Sequence, residues 1–369
     1  MRRAASDAIA RAVLYEGYVL YPYRPSALKN RQRWTFGGLA PRPGADAAAA
    51  EPWSMQTQVL VAGGAGARVE VRVRFLQLVE ASGQDWQQAI EREVAVAPAA
   101  VGDIAAIGRE ERFRFESEPA AGRSESVAGA VEIAAEPFGE AGIHRLTVAV
   151  HNLSPGAGPL RRMASTHTVI EVTGGALVSL MDPPPALAAA AASCVNIGTW
   201  PVLVGPPGSS DTMLSSPIVL HDHPEIAPES GGDLFDSTEI DEILVLRVLT
   251  LTDEEKAAAA ACDPRVREML ARVEAMSSAD LMQLHGALRQ IRREVGAGAR
   301  VRLRPRGRAD ALDIALAGRT ATVVAVEQDQ EGRLLFGVAV DDDPGRDLAA
   351  EGLPGHRFFF RLEEIEVLP

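Results

Sequence analysis

His221-Asp222-His223-Pro224-Glu225, followed by Glu229 and Asp233, is the densest run of metal-ligand residue types in the chain. Two imidazoles with carboxylates suit nickel, zinc or iron, and Pro224 and Pro228 would hold the segment extended. No third histidine lies at close spacing, so a complete ligand set needs a distant residue such as His167. The competing reading is that the same imidazoles hydrogen-bond to neighbouring carboxylates and hold no ion. Cys194, with Asn196 and His167, has the residue types of a thiol nucleophile site, which thiol enzymes assemble from distant points of the sequence. It also follows an alanine-rich helix, where cysteine packs as a small hydrophobe, and that reading is favoured.

Two stretches of opposite charge form a second candidate. Gly17 to Ala45 contains no acidic residue and interleaves Tyr21, Tyr23, Arg24, Lys29, Asn30, Arg31, Arg33 and Trp34. Between Asp222 and Glu242, including Glu239, Asp241 and Glu242, eight carboxylates occur with no lysine or arginine. Such self-repulsion needs a compensating partner or full solvation. The basic, aromatic arm either docks on this acidic segment or binds an external ligand. Arg300, Arg302, Arg304, Arg306 and Arg308 alternate with other residues, which in a strand places them on one face, where RNA is one possible ligand. Asp341, Asp342 and Asp343 in the same region favour cross-strand ion pairs instead.

The elements that position these residues are mainly strands. Thr57–Val61, Arg68–Val79, Arg92–Val96, Arg112–Glu116, Val127–Ala134, His144–His151, Thr168–Val172 and Leu177–Leu180 are β-branched runs punctuated by Gly, Pro, Ser and Asn. Val69, Val71, Val73 and Phe75 alternate with Glu70, Arg72 and Arg74, the period of a strand with one wet face. Ser6 to Leu14 predicts a short docking helix, and Ala186 to Ala192 another. Asn196 to Gly208 reads as loop. Thr252-Asp-Glu-Glu255 is a capping box, Pro264 opens a second helix, and Ser277 a third, to Val295. Five short strands follow: Arg300–Pro305, Arg319–Glu327, Arg333–Val340, His356–Arg361 and Glu364–Leu368.

The resulting expectation is a mainly β chain with α segments, of α+β class. The arm and its helix span 1–56 and a β-sandwich-like domain spans 57–182. An irregular α/β segment with the acidic loop packed on the sandwich covers 183–252, a helical connector 253–296 and a small SH3-like β-barrel 297–369. With 369 residues, a formal charge of −13 and two isolated cysteines, the chain is no disordered protein and no iron-sulfur carrier. Nucleic acid is not expected as a partner. No apolar run is long enough to insert in a membrane, and a cytoplasmic location is expected. No phosphate-loop, dinucleotide, nucleophile-elbow or zinc-protease motif occurs, so the chain reads as non-enzymatic rather than catalytic, with no cofactor expected.

Several strings together carry a resemblance: Tyr15-Glu-Gly-Tyr-Val-Leu-Tyr-Pro-Tyr-Arg-Pro-Ser-Ala-Leu-Lys-Asn-Arg-Gln-Arg-Trp34, Ser179-Leu-Met-Asp-Pro-Pro184, Asn196-Ile-Gly-Thr-Trp-Pro-Val-Leu-Val-Gly205, Met213-Leu-Ser-Ser-Pro217 and Asp222-His-Pro-Glu-Ile-Ala-Pro-Glu-Ser230 leading to Thr238-Glu-Ile-Asp-Glu-Ile243. With Arg300–Arg306 and Asp341–Pro344, the sequence resembles an uncharacterised family encoded within nickel-iron hydrogenase gene clusters, over nearly its whole length. The resemblance implies a role in making or assembling a hydrogenase, with a hydrogenase subunit or maturation factor as partner. It brings no catalytic residues with it.

Overall fold

The computed structural model describes residues 2–24, 27–31, 36–44, 51–80, 87–118, 122–139, 142–226, 230, 232–236, 241–277, 280–281, 284, 298–305, 316–328, 334–344, 357–361 and 364–368. The chain divides into two compact units, 1–226 with 230–276, and 277–369 with 227–229. It is mainly β, with three antiparallel sheets and no closed barrel among the described residues.

In chain order the first unit contains α1 (Arg2–Leu14), α2 (Leu28–Arg31), β1 (Ser54–Ala62), β2 (Arg68–Glu80), β3 (Gln87–Ala100), α3 (Val101–Ile107), β4 (Arg109–Phe115), β5 (Arg123–Ser124), β6 (Val127–Pro137) and β7 (Ile143–Asn152). It continues with β8 (Met163–Thr173), β9 (Ala176–Val178), α4 (Ala188–Ala192), β10 (Trp200–Leu203), β11 (Thr212–Ser216), α5 (Asp241–Leu249), α6 (Asp253–Cys262) and α7 (Pro264–Glu274). One sheet has the order β4-β6-β7-β1-β9 and the other β10-β11-β8-β2-β3, with β5 also paired to β2.

The alternation along β2 explains how the sheets associate. Val71, Val73 and Phe75 join Ile170 and Val172 of β8 from one sheet, and Val59, Val131, Ile133, Leu146, Val148 and Val150 from the other, in a single core. Each such side chain contributes about 1.5–3 kcal/mol when fully buried. The opposite face of the second sheet is covered as well, since Ala10 and Val13 of α1 pack with Val169, Val202, Val204 and Leu214. Strand β8 is therefore buried on both faces from Met163 to Ile170, and its sequence shows no apolar–polar alternation.

Several elements depart from expectation, among them β5, β11, α5, β10 and α3. Residues 200–203 lie inside the stretch that reads as loop, yet they form the edge strand β10, paired Trp200 to Ser216 through Leu203 to Met213. Pro201 is compatible with an edge because its missing N–H falls on the side facing away from β11. Helix α3 follows β3 directly, with Ala100 offering no side-chain cap. Val101 and Ile104 are buried, and Gly108 stops the helix at φ 64.

The second unit contains β12 (Arg300–Leu303), β13 (Thr320–Gln328), β14 (Leu334–Val340), β15 (Phe358–Phe360) and β16 (Ile365–Val367), in the order β15-β14-β13-β12-β16. All five runs expected as strands are present. The expected closed barrel is not: β15 and β16 are three residues each and occupy opposite edges of an open sheet, unpaired to one another among the described residues. Val301, Leu303, Val323, Phe336, Val338 and Phe360 fill its core. The helix expected over 277–295 lies largely outside the described residues.

Candidate partner-binding site

The aromatic arm is bonded into its own unit. Tyr15 and Tyr18 pack edge to face, ring centroids 5.3 Å apart, against Phe235. The Tyr15 hydroxyl donates to Glu91 Oε1 at 2.7 Å and accepts from Arg265 Nη2 at 2.7 Å, and the same guanidinium stacks over the Tyr15 ring. Tyr18 donates to Asp263 Oδ2 at 2.6 Å, and Tyr23 to the Leu234 carbonyl at 3.1 Å. The Gly17 N–H donates to the Phe235 carbonyl. Burial raises the Tyr15 and Tyr23 hydroxyl pKa values beyond the normal phenol range, so neither titrates near neutrality.

The predicted partner-binding residues are thus divided. Tyr23 and Asn30 are buried, and the Asn30 amide closes the turn by bonding both backbone groups of Leu20 and the Arg24 carbonyl. Arg24 pairs with Glu255 at 3.3 Å, and Arg247 stacks over Tyr21. Lys29 is exposed. Asp241 and Glu242 stand in the first turn of α5, where the helix dipole favours carboxylates. Arg33, Trp34, Glu239 and the Arg31 side chain lie outside the described residues.

The His-Asp-His string has a backbone role. Asp222 accepts the Leu203 N–H at 2.7 Å through Oδ1 and the Ser179 hydroxyl at 2.5 Å through Oδ2. His223 donates its backbone N–H to the Leu203 carbonyl at 2.7 Å, and its Nδ1 lies 3.1 Å from the Gly205 carbonyl, which fixes the proton on Nδ1. Together they occupy the outer edge of β10 that another strand would otherwise pair with. His221 and Glu225 are exposed, and His167 lies in β8, paired across from Arg74. Among the described residues no three His, Cys, Asp or Glu side chains are grouped to hold a metal ion. Replacing Asp222 by Ala should cost about 1–2 kcal/mol by stranding the Leu203 N–H, read as a lower thermal midpoint.

His167 is fully buried, its Nδ1 donating to the Ser165 carbonyl at 3.0 Å. Burial, reinforced by Arg74 and Arg72, pushes its pKa down to about 4. In the unfolded chain the imidazole titrates near 6.5, so between these values the unfolded state binds more protons, and stability is lost as the pH is lowered. We expect a loss of about 2 kcal/mol from this group between pH 7 and pH 5. Denaturation of His167→Gln across the same range should lack that slope.

The remaining chemistry-bearing candidates are equally occupied. Cys194 is half-buried beside Leu180, Leu187 and Ala190, and burial raises its thiol pKa, the wrong direction for a nucleophile. Arg300 pairs with Asp341, Arg302 and Arg304 with Glu366, and Arg319 with Asp342. Arg306 and Arg308 lie outside the described residues.

One surface feature was not legible as a site. Val195, Ile197 and Trp200 are 54%, 55% and 47% exposed, three large apolar side chains within six residues. They stand on fixed backbone. Ile197 and Gln56 exchange both main-chain hydrogen bonds, Gln56 Nε2 donates to the Val195 carbonyl, and the Val195 N–H donates to Gln58 Oε1. Asn196 Oδ1 accepts the Gln58 N–H, and a buried hydroxyl cluster of Thr57, Ser215 and Thr199, at 2.7 and 2.8 Å, anchors the segment below. The signal available in the sequence was the spacing of Val195 and Ile197 on either side of Asn196, inside a stretch read as irregular.

No protein-family model matches the chain, and no curated protein matches it. Among the described residues no helix is long and apolar enough to cross a membrane.

Proposed function

We propose that this is a non-enzymatic, cytoplasmic accessory protein that binds a subunit or maturation intermediate of a nickel-iron hydrogenase. The resemblance described above supplies the pathway. The observation that supports binding rather than catalysis is the disposition of the reactive residue types. The Tyr15, Tyr18 and Tyr23 hydroxyls, the Asp222 carboxylate and the His223 ring are engaged in bonds that hold the fold, while apolar side chains are presented on rigid backbone at the surface. On the same reading the first unit is a β-sandwich-like scaffold, and the second an SH3-like module with its sheet left open.

The test is affinity purification of the full chain from cells that express the hydrogenase, beside a variant with Arg31, Arg33 and Trp34 replaced by Ala. A hydrogenase subunit or maturation factor should accompany the unmodified chain and be depleted with the variant. Absence of any such component from the unmodified chain would end this reading.

A further inference from the structure

A cavity of about 940 Å³ lies in the first unit between residues 40–44 and 153–159, with Glu51 and Arg162 also on its wall. Most of the wall is apolar, formed by Pro41, Pro43, Leu153, Pro155, Ala157 and Pro159. Proline rings fix the backbone φ, so little conformational freedom is lost when a ligand settles against them. One buried side chain holds both walls in place. Asn152, the last residue of β7, is 0% exposed, and its Nδ2 donates to the Leu39 and Arg161 carbonyls, both at 2.8 Å. Its Oδ1 accepts the Ser154 N–H at 3.0 Å, and its own carbonyl accepts the Arg42 N–H at 3.0 Å. A fixed, mostly apolar hollow of this volume suits a small organic molecule.

The charges on the wall select the ligand. Arg42, Glu51 and Arg162 line the cavity, and Glu51 is ion-paired with Arg162, which leaves Arg42 as the uncompensated charge. The Arg42 guanidinium stands 4.7 Å over the Trp53 ring, and Trp53 packs on His151 with ring centroids 5.3 Å apart. Among the described residues Arg42 has no carboxylate partner. Stacking uses the face of a guanidinium and leaves its N–H fork in the plane available for an anion. We infer that this cavity binds a small organic acid, in which an apolar body of ring or chain carbon carries one carboxylate or sulfonate that pairs with Arg42. The body covers the proline wall while the anionic group meets the guanidinium. An organic cation is disfavoured, because the one carboxylate on the described wall already serves Arg162. A neutral apolar molecule would forgo the interaction with Arg42. This site is additional to the partner role proposed above, and the outcome of its test leaves that role untouched.

The probe is 8-anilinonaphthalene-1-sulfonate, and its control is N-phenyl-1-naphthylamine, the same ring system without the sulfonate. Both report by fluorescence on the full chain. The sulfonate should bind at least about tenfold more tightly than the amine. Arg42→Gln should weaken the sulfonate about tenfold and leave the amine unchanged, and Arg42→Lys should recover part of the loss. Ala157→Trp, which fills the cavity, should weaken both probes about tenfold. Arg42 and Ala157 are both exposed, so neither substitution disturbs the core. Octanoate and phenylacetate should compete with the bound sulfonate, and the better competitor shows whether the body is a chain or a ring. Equal affinity for the two probes would overturn the inference, as would a sulfonate affinity indifferent to Arg42→Gln or to Ala157→Trp, or displacement by neither acid.

Discussion

Replacing Asp263 with Ala should cost about 3 kcal/mol and release the aromatic arm from the helices beneath it. This carboxylate is 1% exposed and serves two partners 245 residues apart in one case and two apart in the other. Oδ1 accepts the Arg265 N–H at 2.8 Å and so caps the first turn of α7, a role worth about 1 kcal/mol. Oδ2 accepts the Tyr18 hydroxyl at 2.6 Å, and Tyr18 is fully buried. Truncation leaves that phenol without an acceptor, at about 1–3 kcal/mol. Hydrogen exchange should show lost protection over residues 15–23, whose bonds to Phe235, Leu234 and Glu91 close only while Tyr18 is seated. Tyr18→Phe in the Asp263→Ala background should add little, because the stranded hydroxyl is then gone. If the two substitutions instead add in full, Asp263 and Tyr18 are not coupled and the arm is held elsewhere.

How far the sequence reached follows from which interactions are local. Strand β2 announces itself because Val69, Val71, Val73 and Phe75 alternate with charges, and period 2 is a property of adjacent residues. The Thr252–Glu255 capping box is likewise contained in four residues, and both of its bonds are present. Strand β10 escaped because four residues containing a proline carry no periodic signal, and its pairing is decided by β11 and by the Asp222 and His223 bonds from some twenty residues away. The same non-locality governs the His-Asp-His string. Residue type alone points to metal, whereas the backbone places Asp222 and His223 against the two main-chain groups of Leu203. For the arm, the charge contrast with the acidic segment was visible. The partners that bond Tyr15 and Tyr18 are Glu91, Asp263 and Arg265, none of which belongs to a patterned run. The exposed apolar residues at 195–200 left only the spacing of Val195 and Ile197 as a trace, because exposure is a property of what fails to pack over a residue.

Arg72→Met should cost about 2 kcal/mol at low salt and loosen α1. The Arg72 side chain is 4% exposed and reaches Asp7 of α1 at 3.0 Å, Glu171 of β8 at 3.1 Å and Glu93 of β3 at 3.7 Å. One guanidinium thus holds together a helix and two strands that flank its own, with a fork that suits several carboxylates at once. Removing one partner of a buried ion pair costs about 3–5 kcal/mol, because the other charge stays behind. Here the carboxylates left behind are 41%, 21% and 45% exposed, so water screens them and the cost falls below that range, to about 2 kcal/mol. Methionine fills nearly the same volume, which keeps cavity formation out of the comparison. The deficit should shrink at 1 M salt, where mutual repulsion of the three carboxylates is screened over about 3 Å. Glu171→Gln in the Arg72→Met background should recover part of it, since Glu171 is the most enclosed of the three. Hydrogen exchange should place the loosening in α1, whose Asp7 loses its partner, while the core shared by the two sheets keeps its protection. A stability within about 0.5 kcal/mol of the unmodified chain would mean that the apolar contacts of Ala10 and Val13 alone seat this helix.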